Sequence, residues 1–432
     1  MGSNVVEGTV KNGLCVSCGI CAAVCAKKCI TFVNRAGQYY PEIDKDTCVN
    51  CGVCDDVCSA RNIDFGKFYK INAQQHANDI YSGNYVACYN AFAIDERVRK
   101  NSASGGCITA IIKELLIQGE YGSAFLVDSF KYDKFVETKR FQKNDLLDQT
   151  SKSRYIPVSH KSMVEYALSH KNEKIIVVAT GCVMHTFLNV IERYNLNRSK
   201  YLLLGLFCDN TMNYNVFEYF KDYGAKRNLD KLYFKTKEQT GWPGNVKLEY
   251  PDGDSVFLEA SERTMLKEYF QLESCLYCVD KLNQFSDISF GDNYTGMYGK
   301  KGDLGSSSII IRTPLGEKSF NLVKQNFVTF DIHMDDIRQS QKVTVREKNL
   351  KYAGILFRKT GINIYSQKAM NANPDKNDIK DYNDKILKLT FGRIYPRDKI
   401  KILNGVKKKK AQKKQRRIKT YLKTRIKNII NG

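Results

Sequence analysis

The chain has 432 residues, 43% hydrophobic and 26% charged, which suits a large globular core and excludes a disordered or fibrous protein. Its formal charge is +22, but fourteen Lys or Arg and no acid lie from Lys399 onward, which leaves +8 for the rest. No apolar run approaches bilayer length, no signal-peptide pattern opens the chain, and fifteen cysteines point to a reducing compartment. A cytoplasmic protein without disulfides is expected.

Residues 1–66 are organised by two copies of one cysteine pattern: Cys15-x2-Cys18-x2-Cys21-x3-Cys25 and Cys48-x2-Cys51-x2-Cys54-x3-Cys58. Bacterial ferredoxins hold two [4Fe–4S] clusters with such runs, the fourth cysteine of each crossing to the other cluster. On that rule Cys15, Cys18, Cys21 and Cys58 hold one cluster, and Cys25, Cys48, Cys51 and Cys54 the other. Zinc also takes Cys-x2-Cys pairs, and secreted chains use paired cysteines as disulfides, but a duplicated four-cysteine run suits neither well. The proline that usually follows the fourth cysteine is Ala26 in one copy and Ser59 in the other. Cys29 reads as a small apolar filler. A hairpin, Ile30–Val33 and Tyr39–Ile43 with Gly37 at its turn, separates the loops, and polar residues 67–84 read as a linker.

The main body, 85–372, opens with a strand at Tyr85–Tyr89. Ser102-Ala103-Ser104-Gly105-Gly106 then leads into a helix whose apolar face is Ile108, Ile111, Ile112 and Leu115. Its start is a seat for phosphate, with a plain helix cap as the alternative. Tyr121–Asp128 is another strand. Lys174–Ala179 and Tyr201–Phe207 read as buried parallel strands, and they end in Thr180-Gly181-Cys182 and Phe207-Cys208-Asp209. Sites gather at such carboxyl ends. Lys231–Lys235, Val246–Tyr250 and Ser255–Leu258 read as antiparallel strands, with Gly241-Trp242-Pro243-Gly244 between the first two. Cys275-x2-Cys278, Lys281, the segment Asp287–Asp292, a glycine-rich loop from Gly296 to Gly305 and the strand Ser308–Arg312 follow. No two glycines stand two apart, so the dinucleotide fingerprint is absent.

Cys182, Cys208, Cys275 and Cys278 are four thiols, enough for one more [4Fe–4S] cluster, with zinc or unrelated buried thiols as alternatives. Cys88 and Cys107 read as packed thiols. Ser102–Gly106, Thr180–Cys182, Phe207–Asp209, Gly241–Gly244, Cys275 through Asp292, and Arg312-Thr313 with Gly316 occur in an order that resembles the beta subunit family of coenzyme F420 hydrogenase/dehydrogenase. The resemblance covers residues 83 to about 360. It implies a mixed α/β (α+β) flavoprotein body behind the ferredoxin-like module, with FAD beside the third cluster. It also implies that Ser104, Gly105, Gly106, Ser151, Lys152, Ser153, Lys281 and Asp292 line the flavin site. Gly181, Val183 and Asp209 stand where the family usually has Pro, Gln and His.

The implied activity is an FAD- and iron–sulfur-dependent oxidoreductase. Its donor would be F420H2-like or reduced ferredoxin, its substrate a small molecule, and its setting surface polysaccharide biosynthesis. The alternative is a ferredoxin-like electron-transfer subunit whose partner holds the active site. His160, His170 and His185 are available for proton transfer, though a surface or core role is the plainer reading of each. Residues 373–398 read as a linker and a helix-like segment, and 399–432 as a basic amphipathic tail. Ile418, Leu422, Ile426 and Ile429 or Ile430 recur there at helical spacing. Such a helix suits an anionic surface at the inner membrane face. Nucleic acid is a weaker reading, without aromatic interleaving, and a solvated tail is the plain one.

Overall fold

The structure, a computed structural model, describes residues 4–430 apart from 62, 128–133, 224–227, 298–302 and 366–370. The side chains of 417 and 421–430 are not among those described. Strands β1 (Ile30–Arg35) and β2 (Gln38–Ile43) pair antiparallel from Ile30 opposite Ile43 to Arg35 opposite Gln38. Their two-residue turn takes φ of 54° at Ala36 and 77° at Gly37, the positive pair that a tight right-twisted hairpin demands.

Helix α1 (Phe65–Ile71) occupies the start of the expected linker. Asp64 caps it by accepting from the Lys67 amide, and Phe65, Phe68 and Tyr69 are buried together on one face. The polar residues that read as linker have structural partners. The Tyr69 hydroxyl donates to Gln284 Oε1 at 2.8 Å, Asn72 Nδ2 to the Phe285 carbonyl at 3.1 Å, and Gln74 Nε2 to the Arg312 carbonyl at 2.7 Å. Composition hid a packed segment, because its polar groups satisfy carbonyls that lie far away in sequence.

The body continues with β3 (Ala87–Ala93), α2 (Cys107–Ile117), β4 (Ser123–Val127), β5 (Thr138–Phe141), α3 (Lys161–Ser169), β6 (Ile175–Thr180), α4 (Gly181–Arg193) and β7 (Tyr201–Leu206). Next come β8 (Lys231–Thr236), β9 (Asn245–Glu249), β10 (Ser255–Leu258), α5 (Ala260–Phe270), β11 (Ile288–Asp292), β12 (Ser307–Ile311) and β13 (Phe327–Asp331). Eight strands form one sheet in the order β13-β3-β12-β11-β7-β6-β4-β5. Its centre, β11-β7-β6-β4, is parallel, and antiparallel neighbours flank it. β8, β9 and β10 make a separate antiparallel sheet. Of the expected Gly296–Gly305 loop, residues 298–302 lie outside the described residues.

Helices α6 (Arg346–Thr360), α7 (Lys376–Arg393) and α8 (Lys399–Ile430) complete the chain. Part of the segment that reads as a linker is the first half of α7, and Asp375 caps it through the amides of Asn377 and Asp378 at 2.7 and 2.9 Å. The basic tail is anchored at its start. Ile402 and Val406 are buried, and Lys409, Lys410 and Lys413 pair with Glu268, Glu262 and Glu259 of α5 and its cap. Further along, Ile418 is half exposed, while the Leu422, Ile426, Ile429 and Ile430 side chains lie outside those described.

One continuous core joins Leu14, Ile20 and Val57 of the cysteine-rich module to Phe187, Leu203 and Tyr352 of the body. Among the described residues no helix is long and apolar enough to cross a membrane. Phe68 is fully buried at this junction, its ring centroid 5.1 Å from His185 and 5.2 Å from Phe285. Phe68→Ala is expected to cost about 3–5 kcal/mol, read as a lowered unfolding transition of the intact protein.

Candidate functional site

The carboxyl edge of the parallel strands gathers the body thiols. β6 and β7 pair from Ile175 opposite Tyr201 to Thr180 opposite Leu206, so Cys182 and Cys208 leave the sheet side by side. A short helical turn, Glu273–Leu276, brings Cys275 and Cys278 to the same place, and all four thiols adjoin one another. Two residues of α6 that carry no sequence signal hold these loops. Arg346 donates to the carbonyls of Cys208, Asp209 and Cys278 at 2.8, 2.9 and 3.3 Å. Asn349 donates to those of Cys278 and Cys275 at 2.7 and 3.3 Å. They stand three apart on one helix, a spacing common to any helical face.

In the N-terminal module, Cys15, Cys18, Cys21 and Cys58 surround one small cavity. Cys54 adjoins Cys51 and Cys25, and Cys29 contacts both Cys25 and Cys48. The duplication extends to the backbone: Gly19 and Gly52 each take φ of 77° and ψ of −9° after the second cysteine of their run. Ser59, which stands where proline is usual, has a task no proline performs. Its hydroxyl lies 2.9 Å from Thr186 Oγ1 and donates to the Cys182 carbonyl at 3.3 Å. This ties the inner N-terminal thiols to the body thiols, and Cys182 in turn senses the charge of Cys18.

Burial pushes Cys15 up to about 12 and Cys278 up to about 11, and it raises Cys18, Cys21, Cys58, Cys182 and Cys208 as well. Unaided, these groups stay neutral thiols; buried positive charge is what would hold them as thiolates. Zinc sulfurs sit about 2.3 Å from a single ion. Among the described residues no three His, Cys, Asp or Glu side chains close to single-ion geometry.

A cavity of about 310 Å³ lies on the same edge, with Cys182 and Cys208 on its wall. Ser104, Gly106, Ser151, Lys152, Ser153 and Asp292 line it, six of the eight residues expected at a flavin. Gly105 stands behind the wall, where a Cβ would meet the Ala91 carbonyl at 2.6 Å. Lys281 acts one step back: its ammonium lies 2.6 Å from Asp209, which lines the cavity. Gly106, at φ 81°, caps α2, whose first turn, Cys107–Thr109, lines the cavity without a side-chain cap on its amides.

The charges around this cavity are ordered. Burial would raise the Asp292 carboxyl, but the Lys235 ammonium at 2.5 Å and the Trp242 N–H at 2.9 Å outweigh it and hold it below the usual range. Lys237 donates to the Arg99 and Ser104 carbonyls, each at 2.6 Å. Burial, then the neighbouring Lys235 and Arg99, pull it down to about 7. His160, not assigned to the site from sequence, lines the cavity with its Nδ1 buried and without a hydrogen-bond partner. Its amide donates to the Cys18 carbonyl at 2.8 Å. Of the other histidines, His185 is buried against Asp280 at 2.9 Å and His170 is exposed. Cys88 and Cys107 are buried, Cys107 at the cavity wall.

Comparison with sequence models of protein families matches three segments. Residues 172–334 match the C terminus of the coenzyme F420 hydrogenase/dehydrogenase beta subunit, 88–165 match the N-terminal part of that same subunit, and 14–62 match a 4Fe-4S dicluster domain. No curated protein matches the chain. Among solved structures it is similar to a chain of the F420-reducing [NiFe] hydrogenase complex from Methanosarcina barkeri. That match has 18% identity over 65% of this chain and 96% of that one, with a TM-score of 0.49.

The Lys237 position makes stability depend on pH in a definite sense. The unfolded ammonium keeps its proton to about pH 10.4, whereas the folded one loses it near 7, so the unfolded state binds more protons between those values. Stability is therefore expected to rise with pH across that window, and Lys237→Met should flatten the rise. Melting temperatures of both proteins from pH 6.5 to 9.5, without added ligand, check it.

Proposed function

We propose that this chain, which belongs to the coenzyme F420 hydrogenase/dehydrogenase beta subunit family and carries a 4Fe–4S dicluster domain, is an iron–sulfur flavoprotein oxidoreductase. In this reading it holds three [4Fe–4S] clusters and one FAD. One observation carries the proposal: the cavity is walled by Cys182 and Cys208, and the thiol group behind that wall adjoins the Cys18 group of the dicluster module.

The residues fit the groups. Cys15, Cys18, Cys21 and Cys58 would hold the inner cluster, Cys25, Cys48, Cys51 and Cys54 the outer one, and Cys182, Cys208, Cys275 and Cys278 the body cluster. Burial explains why the thiols of the inner and body groups need a cationic partner. The α2 amides, with Lys152 and Lys237 nearby, would take the diphosphate of FAD, since an anion would offset both the burial and the neighbouring cations that depress Lys237. The unpartnered His160 Nδ1 is a hydrogen-bonding group awaiting a ligand atom. A bound flavin takes electrons in pairs from a hydride donor and releases them singly, which is how it joins two-electron chemistry to iron–sulfur centres.

The chain's own residues then do four things. Arg346 and Asn349 fix the body thiols through their carbonyls, and the Lys235–Asp292–Trp242 network fixes one cavity wall. Ser59 holds the inner thiols against the body group. The outer group meets solvent at Cys51, which is exposed, so a redox partner such as ferredoxin would exchange electrons there. F420H2 or another two-electron donor, or a small substrate such as a sugar-linked one in polysaccharide synthesis, would enter the cavity. The second reading, an electron-transfer subunit, follows from the family's description as a subunit. For α8, the anchored first turns leave the later basic turns as the part that would meet an anionic membrane.

The test is composition. Protein purified without oxygen is expected to hold about twelve irons and one FAD per chain, Cys182→Ala about four irons fewer, and Cys88→Ala the full number. Iron, sulfide and flavin assays read all three. About eight irons and no flavin in the wild type would remove the body site and leave the dicluster module alone.

A further inference from the structure

Cys29 lies outside both four-cysteine runs, and as a filler it would need no particular neighbours. Its position is nevertheless fixed from two sides. The chain turns tightly after Cys25: Lys28 takes φ of 52°, and its amide donates to the Cys25 carbonyl at 3.0 Å. That turn brings Cys29 back over Cys25, with the two Sγ atoms 3.4 Å apart. On the other side the hairpin locks Cys29 to the second loop. Its carbonyl accepts from the Asp44 amide at 2.9 Å, and the Asp44 carbonyl accepts from the Cys48 amide at 3.0 Å. The Cys29 thiol thereby also contacts the Cys48 thiol. Cys29 is only 7% exposed, so no water competes for its S–H.

We propose that Cys29 is a built-in hydrogen-bond donor to the outer cluster, its S–H aimed at the Cys25 thiolate with the Cys48 thiolate as a second acceptor in reach. The inference rests on the reading of Cys25, Cys48, Cys51 and Cys54 as one cluster's ligands. A coordinated cysteine has lost its proton, whereas an uncoordinated one keeps it at neutral pH, so the donor in this pair is Cys29. Reduction adds negative charge that spreads onto the ligand sulfurs, and a donor aimed at them stabilises the reduced form more than the oxidised one. Hydrogen bonds to sulfur are among the levers that set iron–sulfur potentials. Cys29 therefore raises the outer cluster's potential and favours its place as the electron-accepting end of the path.

The experiment is a redox titration of the full chain, followed by electron paramagnetic resonance, on the wild type, Cys29→Val and Cys29→Ser. The outer cluster is identified as the signal lost in Cys51→Ala. Valine keeps an apolar side chain and removes the donor; serine keeps a donor. The expected result is an outer midpoint shifted to more negative values in Cys29→Val and held near the wild-type value in Cys29→Ser, with the inner midpoint unmoved. If Cys29→Val fails to assemble, Cys29→Ala serves in its place. An unmoved midpoint in a fully loaded Val or Ala variant overturns the inference and returns Cys29 to a filler. A Cys25→Ala protein that keeps about twelve irons also overturns it, because Cys29 is then a ligand. A Cys51→Ala protein that keeps the wild-type iron content shows instead that the outer-cluster reading itself fails.

Discussion

A thiolate removed from water is costly unless positive charge goes with it, and this protein gathers thiols in three places, two of them largely withdrawn from solvent and the third open at Cys51. Much of the surrounding architecture can be read as meeting that constraint. Backbone amides and Arg346 lie close to sulfur-bearing loops, glycines at φ 77° let those loops close, and Ser59 joins one group to the next. The large sheet supplies the remaining requirement, which is a rigid edge. Parallel strands that end level with one another place Cys182, Cys208 and Asp292 along one line.

The cavity shows the complementary electrostatic pattern. Cations outnumber acids around its phosphate-like seat, and the acids present are already engaged. Asp292 is held by Lys235 and Trp242, and Asp209 by Lys281 at 2.6 Å, with Arg346 and Lys267 farther off. With both acids engaged, Lys152 and Arg154 are the charged side chains left on a wall that is partly apolar and flanked by sulfur.

The sequence made the cysteine runs, the parallel strands and most of the cavity wall legible, because spacing and periodicity are local signals. Cys15 to Cys58 announce themselves, and so do the apolar runs before Cys182 and Cys208. Arg346, Asn349 and His160 stayed hidden, since each acts far away in the chain, the first two on backbone carbonyls and the third in a cavity. Residues 67–84 and 373–385 misled for a related reason. Their Asn, Asp and Gln look like solvent-facing groups, yet several cap helices or satisfy distant carbonyls. Cys29 is the same lesson at short range: composition sees a small apolar residue, and the turn at Lys28 makes it a neighbour of two others in particular.

The hydroxyl of Ser59 and the shared core around Phe68 have an implication for how such proteins arise. A ferredoxin-like segment joined to a larger body is usually pictured as a bead on a string, free to be lost or exchanged by recombination. Here the segment supplies part of the body's interior and a direct hydrogen bond to the first turn of α4, which carries Cys182. Replacing it with another ferredoxin would leave a hole in the core and remove one of the hydroxyls that the Cys182 carbonyl accepts from, Thr186 being the other. The two parts are therefore bound to change together in descent, so the N-terminal module is better traced as an organ of this body than as a borrowed accessory.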